Sequence, residues 1–176
     1  MSSGLTLINS AVLVPVYRDG NEKLRLVCIR RSPGGIHGGE ISFPGGKREP
    51  DDESLLATAL RESEEEIGLG PDHVRILEEL PPVETRSTGF RIFPFLGVIK
   101  PENWLIDQRE VAEVIDLDLE SLANPAMYGE EVKQYDHWEA PRLTPFYRIG
   151  GFKLWGASFR FLNPLLPRIL ANEWRI

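Results

Sequence analysis

The sequence predicts a mixed α/β fold, and three observations carry that expectation. Residues 11–17 (AVLVPVY) and 24–30 (LRLVCIR) are β-rich runs joined by the turn Arg18-Asp19-Gly20-Asn21. From residue 53 to residue 67, Leu55, Leu56, Ala59, Leu60 and Ile67 recur at helical spacing, and Gly68 supplies a left-handed stop. Residues 157–172 form a second amphipathic stretch carrying Phe161, Leu162, Leu165, Leu166, Ile169 and Leu170. No repeat or linker interrupts the chain, so its 176 residues are expected to form one domain. A domain of that size buries roughly 70% of the surface its unfolded chain exposes.

Each element has a local reason. Pro15 cannot donate to a ladder, which places the first strand at an edge or at a bulge. Residues 40–43 read as a short strand running into Pro44-Gly45-Gly46. Asp51 or Asp52 is expected to cap the helix that begins near Glu53. Further strands are expected at 74–80, 90–99 and 111–117, with a short helical piece at 119–123. Residues 132–138 and 142–148 read as a hairpin turning across 139–141. Pro164 and Pro167 are expected to kink or divide the last helix, whose apolar face serves either the core or a homodimer interface.

Composition limits the function classes. A net charge of −7 argues against a generic binder of nucleic acid or of anionic membranes. No apolar run approaches the length of a membrane span and no signal-peptide pattern is visible, so no membrane partner is expected. One cysteine cannot form an internal disulfide, and Cys28 lies inside a strand pattern where a buried thiol is the ordinary occupant. A reducing, cytoplasmic setting is the corresponding expectation.

The chemistry is concentrated in Arg61-Glu62-Ser63-Glu64-Glu65-Glu66-Ile67-Gly68-Leu69. Positions i, i+3 and i+4 of a helix share a face, so Glu62, Glu65 and Glu66 can converge on one cation. A run of glutamates is commonly just a solvated face. Here, however, like charges at these spacings cost a few tenths of a kcal/mol per pair. The residues also sit near a helix C-terminus, where the macrodipole disfavours anions. Hard oxygen ligands so arranged suit Mg²⁺ or Mn²⁺, and metal-assisted hydrolysis of a phosphoanhydride is the chemistry they point to.

This segment resembles the signature of the Nudix hydrolases. Arg61, Glu62, Glu65, Glu66, Gly68 and Leu69 match that pattern, and Glu53 stands seven residues before Arg61 as the pattern requires. Ser63 occupies a place that is usually apolar. The interval from Gly46 to Glu53 is one residue longer than the pattern, so Asp52 is the alternative occupant of that acidic position. The resemblance implies a three-layer α/β/α sandwich with a mixed central sheet. It also implies Mg²⁺- or Mn²⁺-dependent cleavage of a nucleoside diphosphate linked to another moiety, a small-molecule nucleotide substrate. Glu62, Glu65 and Glu66 would hold the metal, with the Gly46 carbonyl as a further ligand. Arg61 and Glu53 would orient the carboxylates. The general base is either one of these glutamates or an acid of a later loop, for which Glu110 and Glu113 are candidates.

Upstream, Val27-Cys28-Ile29-Arg30-Arg31-Ser32 followed by Phe43-Pro44-Gly45-Gly46 is similar to the accessory motif of the coenzyme A pyrophosphatase branch. That likeness implies cleavage of CoA or its derivatives to 4′-phosphopantetheine and adenosine 3′,5′-bisphosphate. The branch carries an arginine in the loop before Phe-Pro-Gly-Gly, whereas residues 33–39 here contain none. Arg31, Lys47, Arg48 and Arg86 are the candidate substrate-binding cations, with Arg30 and Arg91 nearby, and His37 lies in the same loop. The alternatives are a Nudix enzyme acting on ADP-ribose, NADH or another nucleoside diphosphate derivative, and a non-catalytic Nudix module that binds a nucleotide.

Overall fold

A computed structural model describes residues 7–34, 37–85, 88–101, 103–134 and 138–176. Its main sheet has eight strands: β1 (Ile8–Arg18), β2 (Leu24–Arg31), β3 (Ile41–Ser42), β4 (Gly45–Lys47), β5 (Val74–Glu79), β6 (Val83–Glu84), β7 (Phe90–Ile99) and β8 (Val111–Asp118). β1 lies at its centre, parallel to β7 on one side and antiparallel to β2 and β4 on the other. A second sheet has the order β11–β10–β9, from β9 (Tyr128–Lys133), β10 (Arg142–Ile149) and β11 (Phe152–Trp155). The helices are α1 (Leu55–Ile67) and α2 (Gly156–Leu170).

Alternation along the strands builds two cores. Ala11 and Leu13 of β1, with Val27 and Ile29 of β2, pack against Ala59 and Ile67 of α1. Val14 and Val16, with Leu26 and Cys28, pack against Phe161, Leu162, Leu165 and Ile169 of α2. The sheet is therefore covered on both faces, and the α/β/α sandwich expected of the sequence is the fold observed. Cys28 is fully buried among apolar neighbours, and that burial pushes its thiol pKa up, as suits a core residue rather than a nucleophile.

Several expectations are corrected in detail. Pro15 lies in a central strand, not at an edge, where β1 is paired with β4 through residues 10–12 and with β2 through residues 16–18. The Leu13 amide points to that side, donating to the Pro44 carbonyl, so the missing N–H of Pro15 falls where β1 changes partner. Ser54, rather than Asp51 or Asp52, caps α1, its hydroxyl accepting from the Ala57 amide at 3.0 Å. A hairpin forms as expected, but its first arm is β9 at 128–133 rather than 132–138, of which 135–137 lie outside the described residues, and its turn therefore begins earlier than 139. β11 and β6 were not anticipated, being four and two residues long. Despite Pro164 and Pro167, α2 runs undivided.

Candidate active site

Two glycines bring the carboxylate helix against the sheet. Gly45 has φ +149°, and a side chain there would begin 2.2 Å from the Ala11 carbonyl oxygen. That close approach lets the Gly45 amide donate to Glu66 Oε2 at 2.8 Å. At Gly46 a Cβ would lie 2.4 Å from the Glu62 carboxylate, so Glu62 rests directly on the glycine backbone. The Pro44-Gly45-Gly46 turn is thus the seat on which two acids of α1 are placed. Gly68, at φ 73°, ends the helix, its amide donating to the Glu64 carbonyl.

Glu62, Glu66 and Glu110 form the cluster. One carboxylate oxygen from each lies within 4.8 Å of the others. Glu66 is buried to 1% exposure, and that burial pushes its pKa up to about 8. Burial also raises Glu62. The Arg31 guanidinium reaches only 4.0 Å from Glu66 Oε1, leaving the buried charge incompletely countered. Glu110 enters from the loop before β8, which docks on the end of α1 through the Leu105 and Asp107 amides bonded to the Ile67 and Glu66 carbonyls.

Arg61 is held rather than free. Its Nε donates to Asp52 Oδ1 at 2.9 Å and its Nη2 to Asp52 Oδ2 at 3.1 Å, a bidentate pair. It also bonds Glu65 at 3.0 Å, Glu62 at 3.1 Å and the Lys47 carbonyl at 3.3 Å. Asp52 accepts further bonds from the Thr58 hydroxyl and the Glu49 amide. The bonded Arg61 holds its carboxyl well below the usual carboxylate range.

The structure thus separates the residues expected to act together. Glu62 and Glu66 converge as expected. Glu65 is exposed and engaged by Arg61, and its place in the cluster is taken by Glu110. Glu53 is exposed and bonded to none of these groups, because the longer turn shifts the acidic position to Asp52. Ser63, at the usually apolar place, is buried with its hydroxyl donating to the Ala59 carbonyl, which satisfies it within the helix. Glu113 points elsewhere and pairs with Arg30 at 3.2 Å. His37 is exposed and bonded to Glu40. Arg86 lies outside the described residues.

Beside Glu62 opens a cleft of about 820 Å³, lined by Ile8, Asn9, Lys47, Arg48, Glu49 and Pro50. Lys47 and Arg48 were legible as flanking cations of the motif. Ile8 and Asn9 were missed, because they precede the β-rich run and carry no motif of their own.

Fold and site together define the class: a hydrolase on an α/β/α sandwich, with a carboxylate-bearing helix seated on a glycine turn of the sheet. The NUDIX domain family model matches residues 7–139, and the chain belongs to the Nudix hydrolase family. It is 38% identical over 162 residues to a protein of Enterobacter sp. (strain 638) named "Uncharacterized Nudix hydrolase NudL", an alignment covering 91% of this chain and 82% of that one. A like-named protein of Citrobacter koseri is 39% identical over 111 residues, where the match spans 62% of this chain and 57% of the relative. Among solved structures, the chain resembles RenU, a Nudix hydrolase from M. Smegmatis, with TM-score 0.64 and 14% identity over 96% of this chain and 89% of that one. It also resembles the MutT protein from Methanosarcina mazei Go1, with TM-score 0.61 and 18% identity over 96% and 99%. At those identities the structural likeness concerns the fold.

Proposed function

We propose that this protein is a Mg²⁺- or Mn²⁺-dependent pyrophosphohydrolase that cleaves the diphosphate of CoA or its derivatives to 4′-phosphopantetheine and adenosine 3′,5′-bisphosphate. In this reading residues 1–176 act as one domain in the cytoplasm. The observation that carries the hydrolase reading is the Glu62–Glu66–Glu110 cluster, whose Glu62 also lines a cleft bearing Lys47 and Arg48. The donor set fits a hard divalent ion: three carboxylates converge, and the fully buried one, Glu66, is met by the Arg31 guanidinium only at 4.0 Å. Glu62 and Glu66 would hold the ion, joined by Glu65 on rotation away from Arg61 and by the Gly46 carbonyl. Bound there, it would supply charge neutralisation of the diphosphate and a lowered pKa for the attacking water.

The chain's own residues do the rest. Arg61, clamped by Asp52, fixes the rotamer of Glu62 and holds Glu65 until that residue turns to the ion; it stays protonated and cannot act as a base. Glu110 takes the proton from the water as its oxygen bonds to phosphorus, and the bridging P–O bond breaks, with the electron pair leaving on the departing phosphate. Lys47 and Arg48 at the cleft, and Arg31 on the Glu66 side, offset the charge of the phosphate oxygens. Arg86 is retained as a fourth substrate-binding candidate from its sequence position.

CoA as the substrate is supported by the resemblance of residues 27–32 and 43–46 to the CoA pyrophosphatase branch. The loop without arginine at 33–39 favours the second reading, a Nudix pyrophosphatase acting on ADP-ribose or another nucleoside diphosphate derivative. Product analysis with Mg²⁺ on CoA, 3′-dephospho-CoA, ADP-ribose and NADH separates them. Preferential release of adenosine 3′,5′-bisphosphate from CoA supports the first reading. Indifference to the 3′-phosphate, or faster turnover of ADP-ribose, discards it and keeps the second.

A further inference from the structure

Glu110 reaches the acid cluster by way of an irregularity in the sheet. From Arg25 to Arg30, β2 pairs with β8 in constant register, ending with Arg30 opposite Glu113. Arg31 is then opposite Val111, so Ala112 is an extra residue of β8. The slip reverses the faces of β8 beyond it. Val114, opposite Ile29, packs on the α1 core, and unbroken alternation would point Ala112 there and Val111 away. With the bulge, Val111 is fully buried in that core, and Glu110 precedes it at the cluster.

Ser32 holds the end of this bulged ladder. Its amide donates to the Glu110 carbonyl at 2.8 Å, and its hydroxyl donates to the Gln108 carbonyl at 2.8 Å. The turn that carries these carbonyls closes on itself, the Asp107 carbonyl accepting from the Glu110 and Val111 amides at 3.0 and 2.9 Å. Its other end is tied to α1, where the Asp107 amide donates to the Glu66 carbonyl at 3.1 Å. Glu110 therefore stands on a turn bonded both to the helix that carries Glu66 and to the strand that carries Arg31. The bonds to the helix are made by backbone, whereas the bonds to the strand include a side chain, the Ser32 hydroxyl.

Resting on the hydrolase reading above, with Glu110 as the base, we propose that Ser32 is a positioning residue for Glu110. It touches no reacting atom. It holds the 107–110 turn against β2, so that the Glu110 carboxylate stays in place beside Glu62 and Glu66. A displacement of about 1 Å in such a group costs up to about 100-fold in rate. The role belongs to the hydroxyl, because the amide bond persists with any residue but proline.

The test is a double-mutant cycle on the full chain, joined to hydrogen exchange. Ser32→Ala is expected to lower kcat roughly tenfold, with KM within about twofold, on the diphosphate that the wild type hydrolyses. In the Glu110→Gln background the same change is expected to cost less than about twofold, because the group it places is gone. Ser32→Thr keeps the hydroxyl and should return kcat to within about threefold of wild type. Exchange of the Glu110 and Val111 amides, read without substrate, should run roughly three- to tenfold faster in Ser32→Ala. A loss of equal size in both backgrounds marks general damage to the fold and overturns the role. So does a wild-type kcat in Ser32→Ala, or unchanged exchange. In an active wild type these outcomes remove this inference alone. A wild type that hydrolyses no diphosphate removes the hydrolase reading instead, and the exchange measurement still decides whether Ser32 holds the turn.

Discussion

The Gly45 amide donates to Glu66 Oε2 at 2.8 Å, joining the glycine turn of the sheet to the one fully buried acid of α1. That bond sets both where the carboxylate points and how costly its charge is. Burial outweighs the hydrogen bond, and the Glu66 pKa is pushed up to about 8.

A stability-against-pH experiment reads this directly. The folded pKa lies above the ordinary value of 4.5, so between the two the folded state binds more protons than the unfolded chain. The contribution of Glu66 to stability is therefore fully present below about pH 4.5 and is lost as pH rises through about 8. The slope is at most about 1.4 kcal/mol per pH unit for this one proton, with Glu62 adding in the same direction. Thermal denaturation in EDTA from pH 4.5 to 9 should show this fall, and Glu66→Gln should flatten it and raise Tm at the alkaline end. A variant with the wild-type slope contradicts the account.

Turnover and stability should part company at the same residue. Glu66→Gln is expected to lower kcat at least about 100-fold while the fold persists, because a metal-ligand charge is removed. Near-normal turnover with Mg²⁺ would remove Glu66 from the site.

The two glycines should fail differently. In Gly45→Ala the new Cβ meets backbone at 2.2 Å in a conformation that favours glycine, and a loss of about 2–4 kcal/mol of stability is expected. In Gly46→Ala it meets only the Glu62 carboxylate, which can swing away. Chemical denaturation should find that variant within about 1.5 kcal/mol of wild type, and kinetics should find it nearly inactive. Equal stability of both variants would refute this division.

Asp52 and Glu53 are neighbours with different expectations. Asp52→Asn removes the charge that clamps Arg61 and should lower kcat roughly 10- to 100-fold. Glu53→Gln, which touches none of the cluster, should stay within about twofold. Steady-state kinetics of the pair decides which acid orients the site, and the reverse ranking would restore Glu53.

Glu110 and Glu113 offer a similar contrast. Glu110→Gln is expected to cost roughly 10²- to 10⁴-fold in kcat. Glu113→Gln should only loosen a surface pair with Arg30, which contributes at most about 1 kcal/mol. A pH–rate profile of Glu110→Gln that keeps the wild-type acidic limb and rate would exclude it as the base.

What was legible in the sequence was local and periodic. The apolar stripe of α1, its Gly68 stop and the i, i+4 spacing of Glu62 and Glu66 depend on neighbours within two turns, and so did the strands of 11–17, 24–30 and 90–99. Distance along the chain hid the remainder. Glu110 joins Glu66 because the loop before β8 docks on the helix end, and nothing near either residue signals the other. Asp52 displaces Glu53 because Thr58 and Arg61 converge on it once α1 has formed. Ile8 and Asn9 acquire meaning only when β1 pairs with β4 beside Glu62. Helix periodicity is written in adjacent residues, so the sequence by itself determined the family and the acids of the helix; packing across the sheet, which no local pattern encodes, decided which groups face them.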